Sequence, residues 1–548
     1  MAVRTRPSIE ANRGQAVETG ARIASHALVW AIVLVPAIIV LSRGWRPIRD
    51  DAMISIGAYR VFTSHSPTVG VWSLASQGMH HPFYDLGPLM FWLLAVPVHL
   101  DPNQGAFWGA AILCGVTLSI SIEAVWSLRG WPAAVALALI VADIGWQTEM
   151  FSDVVWNPHF GLVFLVGAVA VAWVVASGRY GWWPVAVLFA SVAAQSHLIY
   201  AFTAVGLAVL APLVARLLGH RAQRMRWLVT GLVVGVVCWI VPLVQEIFGH
   251  PGNLTLVAES GSSRSQVGLG FGMHAFSTAV DPNPIWLTKI PFVATLTGKL
   301  PQYVESHAVW WGIVVLCLLA AIAFVAWLTD RRELAALALM GAVVSVGTIA
   351  SFANFPQNQL APLDYLIDVL WFVGLVVWVT IAWAVAELAM AGLHRVRSVD
   401  WQNRFRPPVR IGLAVGGVIF LVVVGYAGLH VLIPAARAQA AEAQVDIPLD
   451  RAIARSIEHH VPAGPVVVKV EPTTFGAQFG YYNIDYWGVA MILLKDGWEP
   501  GLDEGFSGVA THLDVSSGSR WPVVIVHVDR STKSVTGAVR ENPPGNGK

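Results

Sequence analysis

The feature that most constrains this chain is a succession of eleven apolar stretches along its 548 residues. A helix needs about 20 apolar residues to cross the hydrocarbon core of a bilayer. Only 12% of the residues are charged, against about 25% in soluble domains. The sequence therefore predicts an all-α polytopic membrane protein with about eleven transmembrane helices. The stretches occupy residues 23–42, 106–128, 132–150, 160–177, 183–196, 198–215, 227–247, 308–328, 333–352, 365–388 and 410–433.

The distribution of basic residues predicts the orientation of these helices. With the N-terminus in the cytoplasm, 17 of the 34 Lys and Arg residues fall in short segments on the cytoplasmic side, as the positive-inside rule requires. An odd number of spans then places the C-terminus outside. No cleavable signal peptide is evident, since the first apolar stretch lacks a small-residue cleavage site. We expect a multi-pass protein of the plasma (inner) membrane.

The pattern divides the chain into two predicted parts. Residues 1–434 form the predicted transmembrane domain, and its first external loop, 43–105, is too long to be a simple connection. Residues 435–548 form a predicted extracytoplasmic domain. It begins with an Ala-rich amphipathic stretch and contains two β-branched runs, PVVVKVE and PVVIVHV, that are typical of buried strands. We expect a small α/β fold there.

Composition also excludes some partners and sites. The net charge of +1 and the absence of a basic face argue against nucleic-acid binding. Cys114, Cys238 and Cys317 each lie within an apolar run, which indicates small buried side chains rather than disulfides or metal ligands.

The first external loop holds the most informative residues. Asp50 and Asp51 follow the first span within about ten residues, where ionisable groups near a membrane are candidates for function. The alternative is that both acids stabilise the first turn of a helix. Residues 52–62 could form an amphipathic helix along the interface. The apolar stretch 83–100, which follows His80-His81-Pro82, is interpreted as a second juxtamembrane helix.

This order of elements resembles the GT-C superfamily of polytopic glycosyltransferases, which use lipid-phosphate-linked sugars. Within it, the layout over residues 20–430 is similar to the protein O-mannosyltransferase and aminoarabinose-transferase group. Asp50 matches the catalytic Asp of that pattern, whereas Asp51 departs from the usual Glu. Some stretches are also similar to actinobacterial membrane proteins of the superfamily: HSPTVGVWS, HHPFYDLGPLMFWLL, Trp156-Asn157-Pro158, Gln195-Ser196-His197 and Pro242…Gly252-Asn253-Leu254.

The resemblance implies transfer of a sugar, such as arabinofuranose or mannose, from a polyprenyl-phosphate donor. The acceptor would be a hydroxyl of a cell-envelope glycan or glycolipid, with membrane lipids surrounding the enzyme. Asp50 is the candidate general base, a role worth about 10²–10⁴-fold in rate. Attack opposite the departing phosphate would invert the anomeric carbon, and no second carboxylate is needed as nucleophile.

Asp51 could orient Asp50, contact the sugar, or hold a divalent cation such as Mg²⁺ or Mn²⁺ with it. Octahedral oxygen sites usually draw ligands from several segments, so no metal ligand and no certain cofactor are assigned. Asp153 is a candidate for sugar or acceptor binding, or else a cap for the helix after Pro158. Asn157 and His159 are weaker candidates, because Asn-Pro is a common turn.

Other polar residues could line a substrate site. His80 and His81 could donate to phosphate or sugar, or satisfy an interfacial hydrogen bond. Gln195 and His197 could line a cavity or join helices. Cations for the lipid phosphate could come from a set of basic residues that could equally extend to the interface: Arg46, Arg49, Arg60, Lys289 and Lys299.

Two other functions fit the same residues. A transporter or flippase of lipid-linked sugars would show paired inverted repeats and broken helices, and the sequence displays neither. A non-catalytic GT-C-like scaffold acting through its external domain remains compatible with the altered Asp50-Asp51 pair.

Overall fold

The computed structural model describes residues 9–76, 81–221, 225–263, 266–283, 304–356, 365–397, 407–471, 484–502, 521–529 and 534–541. His80, Lys289 and Lys299 lie outside these residues. The described part is mainly helical. Its helices are α1 Ile9–Ser42, α2 Arg49–Arg60, α3 Leu89–Leu100, α4 Gly105–Arg129, α5 Trp131–Thr148, α6 Asn157–Ala176, α7 Trp183–Ser196, α8 Ala201–Leu217, α9 Met225–Phe248, α10 Asn253–Ser263, α11 Gly268–Ala279, α12 Val309–Leu328, α13 Arg332–Ala353, α14 Tyr365–Arg397, α15 Pro407–His460 and α16 Ile484–Lys495.

Within these ranges, ten helices are long and apolar enough to cross a membrane. The remaining predicted span, 183–196, corresponds to α7, which has only 14 residues. Its two ends nevertheless lie level with those of its neighbours. The Tyr180 hydroxyl before α7 donates to the His220 carbonyl beyond α8, and the Asn157 amide at the start of α6 donates to the Ser196 carbonyl at the end of α7. Helix α7 therefore connects the same two levels as α6 and α8.

Helix α6 lies at the centre of the bundle, and all of its 20 residues are buried. Small side chains allow its neighbours to approach. A Cβ at Gly161 would meet the Tyr200 ring, and one at Gly167 would meet Phe189. Close approach at small residues is a common means of joining helices in lipid, where apolar burial provides little driving force.

The first external loop folds onto the end of the bundle. Helix α3 has 12 residues, about 18 Å, which is too short to cross a core of about 30 Å. Between α2 and α3 the chain doubles back through an antiparallel bridge between Trp72 and Tyr84. The loop is therefore a folded layer that covers one end of the spans.

The C-terminal region contains four strands in the order β2-β1-β3-β4: β1 Pro465–Glu471, β2 Glu499–Leu502, β3 Val523–Asp529 and β4 Ser534–Glu541. Strand β1 is parallel to β2 and β3, and β4 is antiparallel to β3. Helix α15 runs without interruption through the predicted boundary between 434 and 435. The C-terminal sheet is thus carried on a membrane helix, and α16 packs against α2.

Candidate active site

A cavity of about 450 Å³ lies beside the N-terminal turn of α2. Its walls come from α2, the doubled loop after it, the first turns of α6 and α8, α10 and the end of α13. Most lining residues are apolar. The carboxylates among them are Asp50 and Asp85. The cavity can therefore accommodate an apolar chain together with a few polar groups.

The cavity reaches the outer surface of the bundle between α8 and α10. Phe202, in the first turn of α8, lines the cavity and is 51% exposed. Ala258 of α10 also lines the cavity and is exposed. Helix α8 belongs to an apolar candidate span, Leu198–Leu217. Phe202 lies near the start of that span, so the exposed part of the cavity lies close to one end of the membrane-spanning helices.

Asp50 lies in the first turn of α2, whose N-cap residue Ile48 provides no side-chain cap. The indole Nε1 of Trp156 donates to Asp50 Oδ2 over 3.1 Å. The pKa of Asp50 is raised to about 6: burial is the main cause and the charge of Asp153 adds to it, while the Trp156 hydrogen bond and the charge of Arg49 oppose the rise. The carboxylate is thus a stronger base than a solvated aspartate.

Asp51 and Asp153 complete an acidic cluster around Asp50. Asp51 is only 6% exposed. Its pKa lies well above the ordinary value because of burial first, and then because of the charges of Asp153 and Asp50. Asp153 does not cap α6, since the N-cap of that helix is Trp156. Three acids from two segments therefore face one another.

The nearest cation to this cluster is already paired. Arg49 has a left-handed backbone (φ 51°), and its Nη2 donates to Asp446 Oδ2 of α15 over 3.1 Å. The Arg49 charge lowers the pKa of both Asp50 and Asp51, but less than burial raises it. Arg49 thus lies beside the acidic cluster, and its hydrogen bond goes to α15.

Asp85 is a cavity residue that the sequence analysis did not single out. It is 2% exposed. One carboxylate oxygen accepts from the Leu198 backbone N–H over 3.0 Å, and the other accepts from the Asn157 amide over 3.0 Å. Burial raises its pKa well above the usual value despite both hydrogen bonds. Asp85 ties the first external loop to the starts of α6 and α8.

The structure separates the two predicted residues near Trp156. Asn157 lines the cavity, and its amide binds Asp85 and Ser196. His159 lies two residues farther along α6, where its Nδ1 is 3.0 Å from the Asp153 carbonyl and its Nε2 is 3.4 Å from Asp368 of α14. His159 therefore supports the backbone that carries Asp153.

The other predicted site residues also lie in different surroundings. His197 lines the cavity and accepts from the Ile199 N–H, and burial lowers its pKa to about 3, so that it is neutral at pH 7. Gln195 joins helices instead, since its amide donates to the Cys238 carbonyl over 2.8 Å. His81 is exposed and is not among the residues that line the cavity.

Arg60 lies at the far end of α2 from Asp50 and is 3% exposed. Burial lowers its pKa, and the charge of Glu499 in the C-terminal sheet opposes that effect. It therefore faces the C-terminal domain rather than the cavity. Arg46 lines a separate polar pocket.

In the described part of the chain, no three His, Cys, Asp or Glu side chains are arranged to hold a metal ion.

The chain is similar to two kinds of solved structure. One is ArnT from Cupriavidus metallidurans bound to undecaprenyl phosphate, with a TM-score of 0.48 and 14% identity over 92% of this chain and 93% of that one. The other is the archaeal oligosaccharyltransferase AglB from Archaeoglobus fulgidus, in complex with an inhibitory peptide and a dolichol-phosphate, with a TM-score of 0.36 and 11% identity over 91% of this chain and 69% of that one.

No protein-family model matches the chain, and no curated protein matches it. At TM-scores below 0.5 and identities of 14% or less, the structural likenesses do not decide the activity. The function has to be argued from the site.

The residues that the sequence analysis missed come from distant segments. Trp156 was noticed only as part of a Trp-Asn-Pro motif, and its partner Asp50 lies 106 residues earlier. Trp487 of α16 lines the cavity although it belongs to the C-terminal domain. No local pattern identifies such a contact.

Proposed function

We propose that the protein is a GT-C-type membrane glycosyltransferase that moves a sugar from a polyprenyl-phosphate donor to a hydroxyl of a cell-envelope glycan or glycolipid. Asp50 acts as the general base, and the anomeric carbon is inverted. The reaction takes place on the outer side of the plasma membrane.

One observation carries this proposal. A carboxylate with a raised pKa, Asp50, lies on the wall of a mostly apolar cavity that opens at the level where the spans end. A soluble sugar substrate would need no apolar opening beside Phe202. A lipid carrier that bears a polar head needs both features in one place, because its chain stays in the bilayer while its head reacts.

The chemistry follows from the charge of the site. With a pKa of about 6, Asp50 is mostly ionised at pH 7 and can accept the proton of an acceptor hydroxyl as the oxygen attacks the anomeric carbon. The bond to the lipid phosphate breaks on the opposite face, and the phosphate leaves with the electron pair. Trp156 holds one carboxylate oxygen, so that the base keeps a fixed orientation.

The acidic cluster also suits the transition state. Positive charge develops at the anomeric carbon as the phosphate departs, and nearby carboxylates stabilise such charge in a water-poor site. The charge of Asp153 raises the pKa of Asp50, and the charges of Asp153 and Asp50 raise the pKa of Asp51. Asp153 therefore contributes negative potential at the reacting centre.

The test is sugar transfer in proteoliposomes that contain a polyprenyl-phosphate-linked sugar and an acceptor glycan. We expect Asp50→Asn to lower transfer by about 10²–10⁴-fold with its thermal unfolding preserved. The matched control is Glu149→Gln, which changes an exposed acid after α5 and should keep full activity.

Two results would overturn the proposal. One is full transfer by Asp50→Asn. The other is movement of the lipid-linked sugar between leaflets by the wild-type protein without any transfer, which would indicate a flippase.

A further inference from the structure

A second pocket lies on the other side of the segment that leads into α2. It has a volume of about 270 Å³, and half of its lining residues are polar or charged. Four basic residues face it: Arg46 before α2, Arg451 and Arg455 on α15, and Lys495 at the end of α16. Arg451 and Arg455 are four residues apart and so share one face of their helix.

The arginines of this pocket are not neutralised by the protein. Across the described residues, no ion pair or side-chain hydrogen bond involves the guanidinium of Arg46, Arg451 or Arg455. Burial lowers the pKa of Arg46, and the charge of Arg451 lowers it further. Two like charges thus lie close together with no protein anion bonded to either.

The acids in the same pocket do not cancel this charge. Asp496 pairs with Lys495 at 3.5 Å. Asp450 is 1% exposed, and its carboxylate occupies the space where a Cβ on Gly488 of α16 would lie. Asp101 lies outside the pocket lining and accepts from the backbone N–H groups of Asn103 and Gln104, and its charge opposes the larger effects of burial and Arg451 on the pKa of Arg46. Among the acids that line the pocket in the described part of the chain, Glu458 is left to face the three arginines.

The pocket lies at the level of the membrane surface. Arg46 follows the last residue of α1 by four positions, and Asn103 precedes the first residue of α4 by two. The Gln444 amide donates to the Arg43 carbonyl over 2.6 Å, which places Gln444 level with the end of α1. Arg451 is seven residues farther along α15, about 10 Å, so the pocket extends upward from the headgroup layer.

We propose that this pocket is a second binding site, for the phosphate of an anionic lipid headgroup. Arginine guanidinium groups match phosphate oxygens in paired hydrogen bonds. Basic pockets at a membrane surface recognise anionic headgroups in this way. The site is distinct from the cavity at Asp50 and needs no sugar transfer for its occupancy.

Native mass spectrometry of the full chain, delipidated in detergent and titrated with phosphatidylglycerol or phosphatidylcholine, tests this proposal. We expect the wild type to retain phosphatidylglycerol preferentially. The double variant R451Q/R455Q should bind it at least about tenfold more weakly, since each arginine contributes a charge-assisted hydrogen bond. The matched control is R437Q, which removes an exposed arginine of the same helix outside the pocket.

The source of the phosphate is tested separately with inorganic phosphate. A phosphate-dependent rise in the melting temperature of the wild type, absent from the double variant, together with no lipid preference, would overturn the headgroup assignment. Equal retention of phosphatidylglycerol by wild type and double variant would also overturn it. If the double variant unfolds in detergent, the single variant R46Q replaces it, with the same expectation.

Discussion

Helix α6 connects two ends of the bundle at which acidic side chains have different surroundings. It has 20 residues, and so its ends are about 30 Å apart. At its start, Asp153 and the Asp50-Asp51 pair face one another with Arg49 paired elsewhere. At its other end, Trp173 donates to the Glu333 carbonyl over 2.8 Å, and Glu333 belongs to a network of opposite charges.

That network joins three helices. Arg129 at the end of α4 pairs with Glu333 of α13, and its Nη2 lies 3.0 Å from Glu387 of α14. Arg331 Nη1 is also 3.0 Å from Glu387, and the Trp383 indole donates to the same carboxylate over 2.9 Å. Each acid of this far-end network therefore has a cation in contact.

The contrast indicates which acids serve the fold and which serve chemistry. A folded chain neutralises buried charge where it can, because an unpaired buried ion is costly. The far-end network follows that rule. The cluster at Asp50 instead brings three acids together, so that burial and mutual repulsion raise the pKa values of Asp50 and Asp51. Strongly perturbed carboxylates in a cleft are candidates for function.

The largest expected effect on stability lies at the far end. Glu387→Gln leaves Arg129 and Arg331 without their shared anion, and we expect a loss of about 2 kcal/mol, between the limits for buried and surface pairs. Thermal unfolding in detergent measures this loss. Sugar transfer per folded molecule should stay unchanged, and a selective loss of transfer without loss of stability would contradict the comparison.

Removing an acid from the cluster at Asp50 should stabilise the protein, whereas Glu387→Gln destabilises it. Asp51→Asn relieves burial and repulsion within the cluster, and we expect a gain of about 1 kcal/mol. A buried acid with a raised pKa destabilises the fold only above the pKa of the unfolded chain, which is 3.8. The gain should therefore be present at pH 7 and absent near pH 3.5. Destabilisation at pH 7 would show that the cluster is structural.

The sequence predicts the spans and the acidic pair because both are local patterns. Hydropathy over 20 residues identifies a helix in lipid, and two adjacent acids after the first span are visible without partners. Asp153 was singled out as a candidate, and the structure places it near Asp50 and Asp51, but its role stays a prediction. The neutralised network and Asp85 were not foreseen, since Arg129, Glu333 and Glu387 lie far apart in the chain.

Local patterns also do not reveal which partners surround an individual candidate residue. Gln195 and His197 are two positions apart, yet one joins α7 to α9 while the other lines the cavity. Arg49 was one candidate cation for a lipid phosphate or for the interface, and its partner Asp446 is supplied by α15, 397 residues later. Composition cannot assign partners that only tertiary packing brings together.

The pH dependence of transfer tests the environment of Asp50. Its pKa of about 6 predicts that kcat/KM falls as pH drops through 6, because the protonated carboxyl cannot accept a proton. Asp153→Asn removes a charge that raises this pKa, and so it should move the acidic limb of the kcat/KM profile to lower pH. Trp156→Phe removes a hydrogen bond that lowers it and should move the limb to higher pH. A limb that both variants leave in place would exclude Asp50 as the titrating base.

The smallest effect is expected at an exposed acid near the far-end network. Asp330 pairs with Arg332 at 2.9 Å, but its side chain is 81% exposed, and such pairs contribute about 0–1 kcal/mol. Its backbone is left-handed (φ 58°), a conformation that Asn also adopts readily. Asp330→Asn should therefore change the unfolding free energy by less than about 0.5 kcal/mol. If it destabilised the protein as much as Glu387→Gln, then loss of any acid at that end would suffice, and the buried pairing of Glu387 with two arginines could not be what stabilises the network.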